Sequence, residues 1–191
     1  MIMTSNELER IRKEMEGTLD SKRYMHTIGV EYTAAALAMR YDEDIMKARI
    51  AGLLHDCAKC LPNAKKLALC EKYNLPVSES EKKNQSLLHA KVGSCLAEEK
   101  FCVKDRDILN AISNHTTGRP GMSLLEKIIF VADYIEPGRN QAPRLLEIRR
   151  MAFVNLDQAM VQILEDTLTY LSEKDDEIDP MTGKTYEYYR F

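Results

Sequence analysis

Apolar residues recur every three or four positions along most of this chain, and that period predicts helix after helix. In the segment 22–41, for example, His26, Val30, Ala34 and Leu37 fall on one face. Helices are expected over 6–16, 22–41, 44–54, 62–72, 86–101, 104–114, 123–135, 143–152 and 155–171. Local signals mark their ends. Gly17 stops the first, Asp44 gives the third an acidic start, and Pro62 opens the fourth. Ser86 and Ser123 are N-cap candidates, and Pro137-Gly138 closes the helix begun at Ser123. The polar segment 74–85 reads as a connection with one helical turn, and 116–121 as a loop. No alternating run predicts a strand, and no internal repeat is visible. The expected fold class is all-α, with residues 1–172 as a single domain. Residues 173–191, acidic and then aromatic with Pro180 and Gly183, are expected to be an irregular C-terminal tail.

Composition narrows the function classes. A chain of 191 residues, 45% hydrophobic and 30% charged, suits one domain with a real core and a solvated surface. The formal net charge of -3 argues against a general nucleic-acid binder, which would show a basic face. A small anionic substrate stays open, because a few local cations hold one. No apolar run reaches the length of a membrane span, and residues 1–14 lack the apolar core of a signal peptide. A cytoplasmic location and no membrane partner are therefore expected. The 5 cysteines are odd in number and form no disulfide framework.

The chemistry sits in a few polar residues on apolar faces. The chain has 4 histidines: His26, His55, His89 and His115. His89 continues a face with Val92 and Leu96, and His115 one with Ile108, Ala111 and Ile112. Asp56 follows His55 directly after the apolar run 50–54, and Asp133 lies four residues after Ile129. A lone histidine on such a face is most simply a hydrogen-bonded core residue, and a lone aspartate a cap or ion-pair partner. All six together point to a metal, which turns costly buried charge into ligands.

The same residues carry a resemblance. The order His26, His55-Asp56, His89, His115, Asp133 resembles the HD-domain superfamily of metal phosphohydrolases. More closely, the chain is similar to the bacterial YqeK family of HD-type symmetrical diadenosine tetraphosphate hydrolases. The matching stretches are Arg23-Tyr24-Met25-His26-Thr27, Gly52-Leu53-Leu54-His55-Asp56-Cys57-Ala58-Lys59, Asn114-His115-Thr116-Thr117-Gly118 and Ala132-Asp133-Tyr134-Ile135-Glu136-Pro137-Gly138-Arg139. They span about residues 20–170.

The resemblance implies an HD-type helical bundle with a metal site between helices. It also implies cleavage of the central phosphoanhydride of diadenosine tetraphosphate to two ADP. One or two transition-metal ions are expected. The nitrogen and oxygen donors suit iron, manganese, zinc, nickel or cobalt, and the family favours iron or manganese. Asp56 can bridge two ions, with His26, His55 and Asp133 completing one set and His89 and His115 serving the second. With one ion, His89 and His115 would bind phosphate. Arg23, three residues before His26, Lys59, three after Asp56, and Arg139 are the expected phosphate cations, and Thr116 a further donor. One nucleotide half is expected near His89, His115 and Arg139. A homodimer is left open.

Other readings compete. Another HD-type enzyme acting on deoxynucleotides or nucleoside monophosphates, or a non-catalytic nucleotide-binding regulator, would share these residues. A cyclic-dinucleotide phosphodiesterase would want a Gly-Tyr-Pro signature that the chain lacks. A di-iron oxygenase would use a similar helical scaffold. Cys57 and Cys60 have C-x-x-C spacing, but no second pair completes a zinc knuckle, so packing is the simpler role. The aromatic residues after Tyr186 are expected to pack, and the acidic run 173–179 to be solvated.

Overall fold

The second and third helices pack closely against each other at a glycine. The computed structural model describes residues 5–174 and 177–191, so the first four residues and Asp175 and Asp176 of the acidic run lie outside it. Helix α1 (Ser5–Thr18) leads into α2 (Ser21–Tyr41), which Asp20 caps by accepting from the Arg23 N–H. Helix α3 (Ile45–Leu54) follows after Asp44 caps Met46 and Lys47. A Cβ on Gly52 of α3 would stand 2.9 Å from the Glu31 Cα of α2, so only glycine permits this approach. The Glu31 carboxylate is fully buried and accepts from Arg12 of α1, at 2.8 and 3.0 Å, and from Arg49 of α3, at 2.9 Å. That pairing makes its burial tolerable and ties the three helices.

The rest of the chain wraps this pair. Helix α4 (Asn63–Lys72) opens at Pro62 as expected, and α5 (Glu79–Lys83) is the single short helix in the polar connection, built on a Ser78–Glu81 capping box. A 3-10 turn (Gln85–Leu87) precedes α6 (Leu88–Phe101). Ser86 is therefore not an N-cap: its N–H is received by the Asn84 side chain, which caps the turn instead. Helix α7 (Arg106–Asn114) begins two residues later than the expected 104, because the Asp105 side chain accepts from the Asp107 N–H and sets the start. Helix α8 (Leu124–Ile135) starts at the Ser123–Glu126 capping box. It is buried almost all round, as its apolar sequence requires. Helix α9 (Leu145–Ala152) starts after Arg144, whose left-handed φ of 49° breaks the expected start at 143. Helix α10 (Leu156–Glu173) is capped by Asn155.

Residues 180–189 correct the expectation of an irregular tail over 173–191. Helix α11 (Pro180–Tyr189) forms there, with Asp179 as N-cap and Pro180 at its first turn. Thr185 packs over Gly118, and the Tyr189 hydroxyl accepts from the Met122 N–H at 2.7 Å, so the helix seals the loop after α7. Tyr186 and Tyr189 join a continuous apolar core that runs from Leu8 of α1 to Leu164 of α10. Leu88, Val92, Ala58 and Cys70 make a smaller core beneath α4. Among the described residues there is no strand, and no helix is long and apolar enough to cross a membrane.

Candidate active site

The six expected ligands come from six places in the chain. His26 lies inside α2, His89 at the start of α6, and Asp133 on α8. His55 and His115 are the C-cap residues of α3 and α7, and Asp56 follows in the turn after α3. Helix ends explain three of the four imidazole orientations. Carbonyls in the last turn of a helix lack ladder partners, so they can take a side-chain donor. His55 Nδ1 donates to Gly52 O at 2.7 Å and His115 Nδ1 to Ile112 O at 2.7 Å. His89 Nδ1 donates to Ser86 O in the 3-10 turn at 2.6 Å. His26 is inside a helix, and its Nδ1 instead meets the buried Glu136 carboxylate at 3.0 Å. In every ring Nε2 is left facing the others.

These Nε2 atoms close on two carboxylates. Asp56 Oδ1 lies 3.1 Å from His89 Nε2 and 3.7 Å from His115 Nε2. Its other oxygen, Oδ2, lies 3.5 Å from His55 Nε2 and 3.9 Å from His26 Nε2. Asp133 Oδ1 is 3.0 Å from His26 Nε2 and 4.0 Å from His55 Nε2. Among the described residues, three sets can hold a cation: His26, His55 and Asp56; His55, His115 and Asp133; and Asp56, His89 and His115. Asp56 thus turns one oxygen to each of two histidine pairs.

The electrostatics favour an ion here. Burial alone would raise the Asp56 carboxyl, but His55, His115 and His89 outweigh it and hold the group well below the usual carboxylate range. Asp133 behaves likewise: burial raises it, and His26, His55 and Arg139 more than reverse that. Burial pushes His89 down to about 4, so its imidazole is neutral at physiological pH. His26 Nε2, His55 Nε2 and Asp56 Oδ1 are buried without a hydrogen-bond partner. Lone pairs and carboxylate oxygens this close need a cation or protons between them, and the donor set fits a divalent transition metal.

The expected cations split into two groups. Arg23 reaches Asp56 Oδ2 at 2.7 Å, and Arg139 reaches Asp133 Oδ1 at 2.8 Å. Lys59 Nζ lies 3.3 Å from His89 Nε2, and Thr116 Oγ1 lies 3.2 Å from His115 Nε2. Arg139 pairs with Asp133, beside His26, while Lys59 and Thr116 lie at His89 and His115. Arg23, His26 and Arg139 border a cavity of about 910 Å³ whose far walls include Tyr32, Tyr134 and Tyr170. Lys59 and Thr116 lie outside it. The loop bearing Thr116 is fixed: Glu126 accepts from Arg119 through both oxygens at 2.7 Å and from Asn114 at 2.8 Å.

Glu136 is the residue the sequence reading missed. It stands in a quoted motif, but its partner is 110 residues away and no spacing signals the contact. Packing describes only one of the two spaced cysteines. Cys57 is buried and its thiol is pushed up to about 12 by burial, whereas Cys60 is exposed.

Comparison with known proteins gives the family. The HD domain family model matches residues 23–138, which hold all six candidate ligands. The symmetrical bis(5'-nucleosyl)-tetraphosphatase of Bacillus subtilis (strain 168) is 42% identical over 170 residues, covering 89% of this chain and 90% of that protein. The protein of the same description from Staphylococcus aureus (strain NCTC 8325 / PS 47) is 35% identical and covers 96% of this chain and 95% of its own length. The crystal structure of a Clostridium acetobutylicum protein, described as a predicted HD superfamily hydrolase involved in NAD metabolism, superposes with a TM-score of 0.93 at 41% identity, covering 98% of each chain. The family model spans more than half of the chain and the likeness to these relatives extends over nearly its full length, so this chain belongs to the HD domain family, alongside the symmetrical bis(5'-nucleosyl)-tetraphosphatases it resembles.

Proposed function

We propose that this protein is a metal-dependent hydrolase that splits diadenosine tetraphosphate at its central phosphoanhydride into two ADP. One observation carries the metal: imidazoles with Nδ1 tied elsewhere turn Nε2 onto Asp56 and Asp133, leaving buried atoms that no hydrogen bond among the described residues satisfies. The substrate is supported by the relatives, whose descriptions state the symmetrical activity.

His26, His55, Asp56 and Asp133 would hold one ion. Asp56, His89 and His115 would hold a second, or His89 and His115 would bind phosphate oxygens beside a single ion. Iron is our assignment, ahead of manganese, zinc, nickel and cobalt. Bound there, the metal supplies positive charge for the phosphates and acidifies water towards neutral pH. The protein's own groups do the rest. Arg23 and Arg139 keep further N–H donors free for phosphate oxygens while paired to the ligand carboxylates. Lys59 and Thr116 offer donors beside His89 and His115. Cations on both flanks suit a tetraphosphate that must leave the centre in two directions. The tyrosine-lined cavity would take one nucleoside. One water is added across the central P–O–P linkage. Its oxygen ends on one ADP, the bridging oxygen leaves with the other, and protons pass to solvent.

Separating the products of diadenosine tetraphosphate incubated with metal-loaded protein tests this reading. ADP alone supports it. AMP with ATP would mean asymmetric cleavage, and phosphate released from nucleoside monophosphates without any cleavage of the tetraphosphate would favour a different HD-type enzyme. Replacing Arg23, Lys59 or Arg139 singly by alanine is expected to cost about 1.5–3 kcal/mol of charged hydrogen bonding, a loss of roughly 10- to 150-fold in kcat/KM with metal content intact. Wild-type kinetics in all three variants would place the phosphate clamp elsewhere.

A further inference from the structure

We infer that Glu136 is the positioning residue that aims His26 at the ion, an inference that rests on the metal-site reading above. His26 differs from the other three histidines in one respect. They sit at helix ends or in a turn and tie Nδ1 to a backbone carbonyl. His26 lies inside α2, where the carbonyls of the preceding turn are occupied by the helix ladder. Without an outside acceptor its Nδ1–H would be buried and unpaired, and the ring would be free to present either nitrogen. Glu136 supplies that acceptor. Its Oε1 stands 3.0 Å from His26 Nδ1, and its side chain is almost wholly buried.

The carboxylate is itself held. The Gly138 N–H donates to its Oε2 at 2.5 Å. Two glycines make the slot: a Cβ on Gly138 would stand 2.9 Å from Oε2, and a Cβ on Gly29 of α2 would overlap the same oxygen. The backbone around it is fixed from α9. Arg149 donates to Ile135 O at 2.8 Å, to Glu136 O at 2.7 Å and to Arg139 O at 2.9 Å. A carboxylate locked against Nδ1–H keeps the proton on that nitrogen, leaves the Nε2 lone pair for the ion, and makes the imidazole a stronger donor. The same residue also fixes the turn that carries Arg139 to Asp133.

Two variants test this without touching a ligand. E136Q keeps the shape but turns an amide donor towards either Nδ1–H or the Gly138 N–H. G29A keeps the carboxylate and displaces it, and alanine is favoured over glycine inside a helix by about 1 kcal/mol, so α2 is not endangered. Mn²⁺ affinity is measured by titration against a competing chelator. The His26 tautomer is read from imidazole ¹⁵N shifts of the metal-free protein at alkaline pH. Both variants are expected to bind Mn²⁺ roughly 10- to 100-fold more weakly, with metal-free melting midpoints near wild type and the His26 signal moved from the pure Nδ1–H form. If E136Q fails to fold, G29A carries the test alone. Equal Mn²⁺ affinity in wild type and variants overturns the inference while leaving the metal site standing. Weaker binding with His26 still in the pure Nδ1–H form also overturns it. A wild-type protein that binds no ion overturns the metal site and this inference with it.

Discussion

Asp56→Ala is expected to lower kcat on diadenosine tetraphosphate by about 10³-fold or more while the helical fold survives. Asp56 faces both histidine pairs, Oδ1 to His89 and His115 and Oδ2 to His55 and His26. Its loss takes a ligand oxygen from both sets at once and leaves imidazole lone pairs facing an empty space. The structural cost is small by comparison. The residue sits in the turn after α3, and the helix is capped at its other end by Asp44. Its partner Arg23 is 30% exposed and can turn to water once the pair is broken. Kinetics, metal content and a thermal melt on one preparation separate the effects. Wild-type turnover with unchanged metal content would remove Asp56 from the mechanism.

The period of the apolar residues made the helices legible because each buries one stripe in a shared core. The Ser123 cap was legible for the same local reason, since a serine three residues before a glutamate satisfies the first free N–H groups. Where local signals compete, the sequence misled. Ser86 is a good capping residue, but Asn84 two positions earlier takes its N–H and builds a 3-10 turn that delivers Ser86 O to His89. The tail shows a second kind of miss. Asp179-Pro180 is a helix start that could have been read, yet Gly183 and the mixed polar and aromatic residues give no clean stripe. The helix is settled by tertiary contacts of Thr185 and Tyr189 with the loop after α7.

The candidate site divides along the same line. Six candidate ligands on apolar faces could be recognised because an unpaired polar group on such a face is costly and therefore informative. Which cation serves which flank could not, because that depends on how α2, α6 and α8 meet. Arg139 follows Asp133 by six residues and pairs with it, while Lys59, three residues from Asp56, turns to His89. Glu136 was hidden for a related reason: as the residue after an apolar helix it looks like an ordinary polar stop.

Removing the metal is expected to abolish hydrolysis and also to lower thermal stability, and the two losses share a cause. The cluster brings Asp133 Oδ1 to 3.0 Å from His26 Nε2, and His89 Nε2 to 3.1 Å from His115 Nε2, with buried atoms that lack partners. An ion that binds only the folded arrangement stabilises it by RT ln(1 + [L]/Kd), about 4 kcal/mol at a thousandfold excess over Kd. For a domain of this size each kcal/mol moves the midpoint by about 2–4 °C, so a shift of roughly 8–16 °C is expected between chelated and metal-saturated protein. The fold itself should persist without metal, because the apolar core from α1 to α10 does not depend on the cluster. Returning Fe²⁺ or Mn²⁺ to the chelated protein should restore both activity and midpoint, whereas Mg²⁺, which prefers oxygen ligands, should restore little of either. Full activity and an unchanged midpoint after exhaustive chelation, with elemental analysis showing no residual transition metal, would mean that the histidines and aspartates are held together by protons and that the metal reading is wrong.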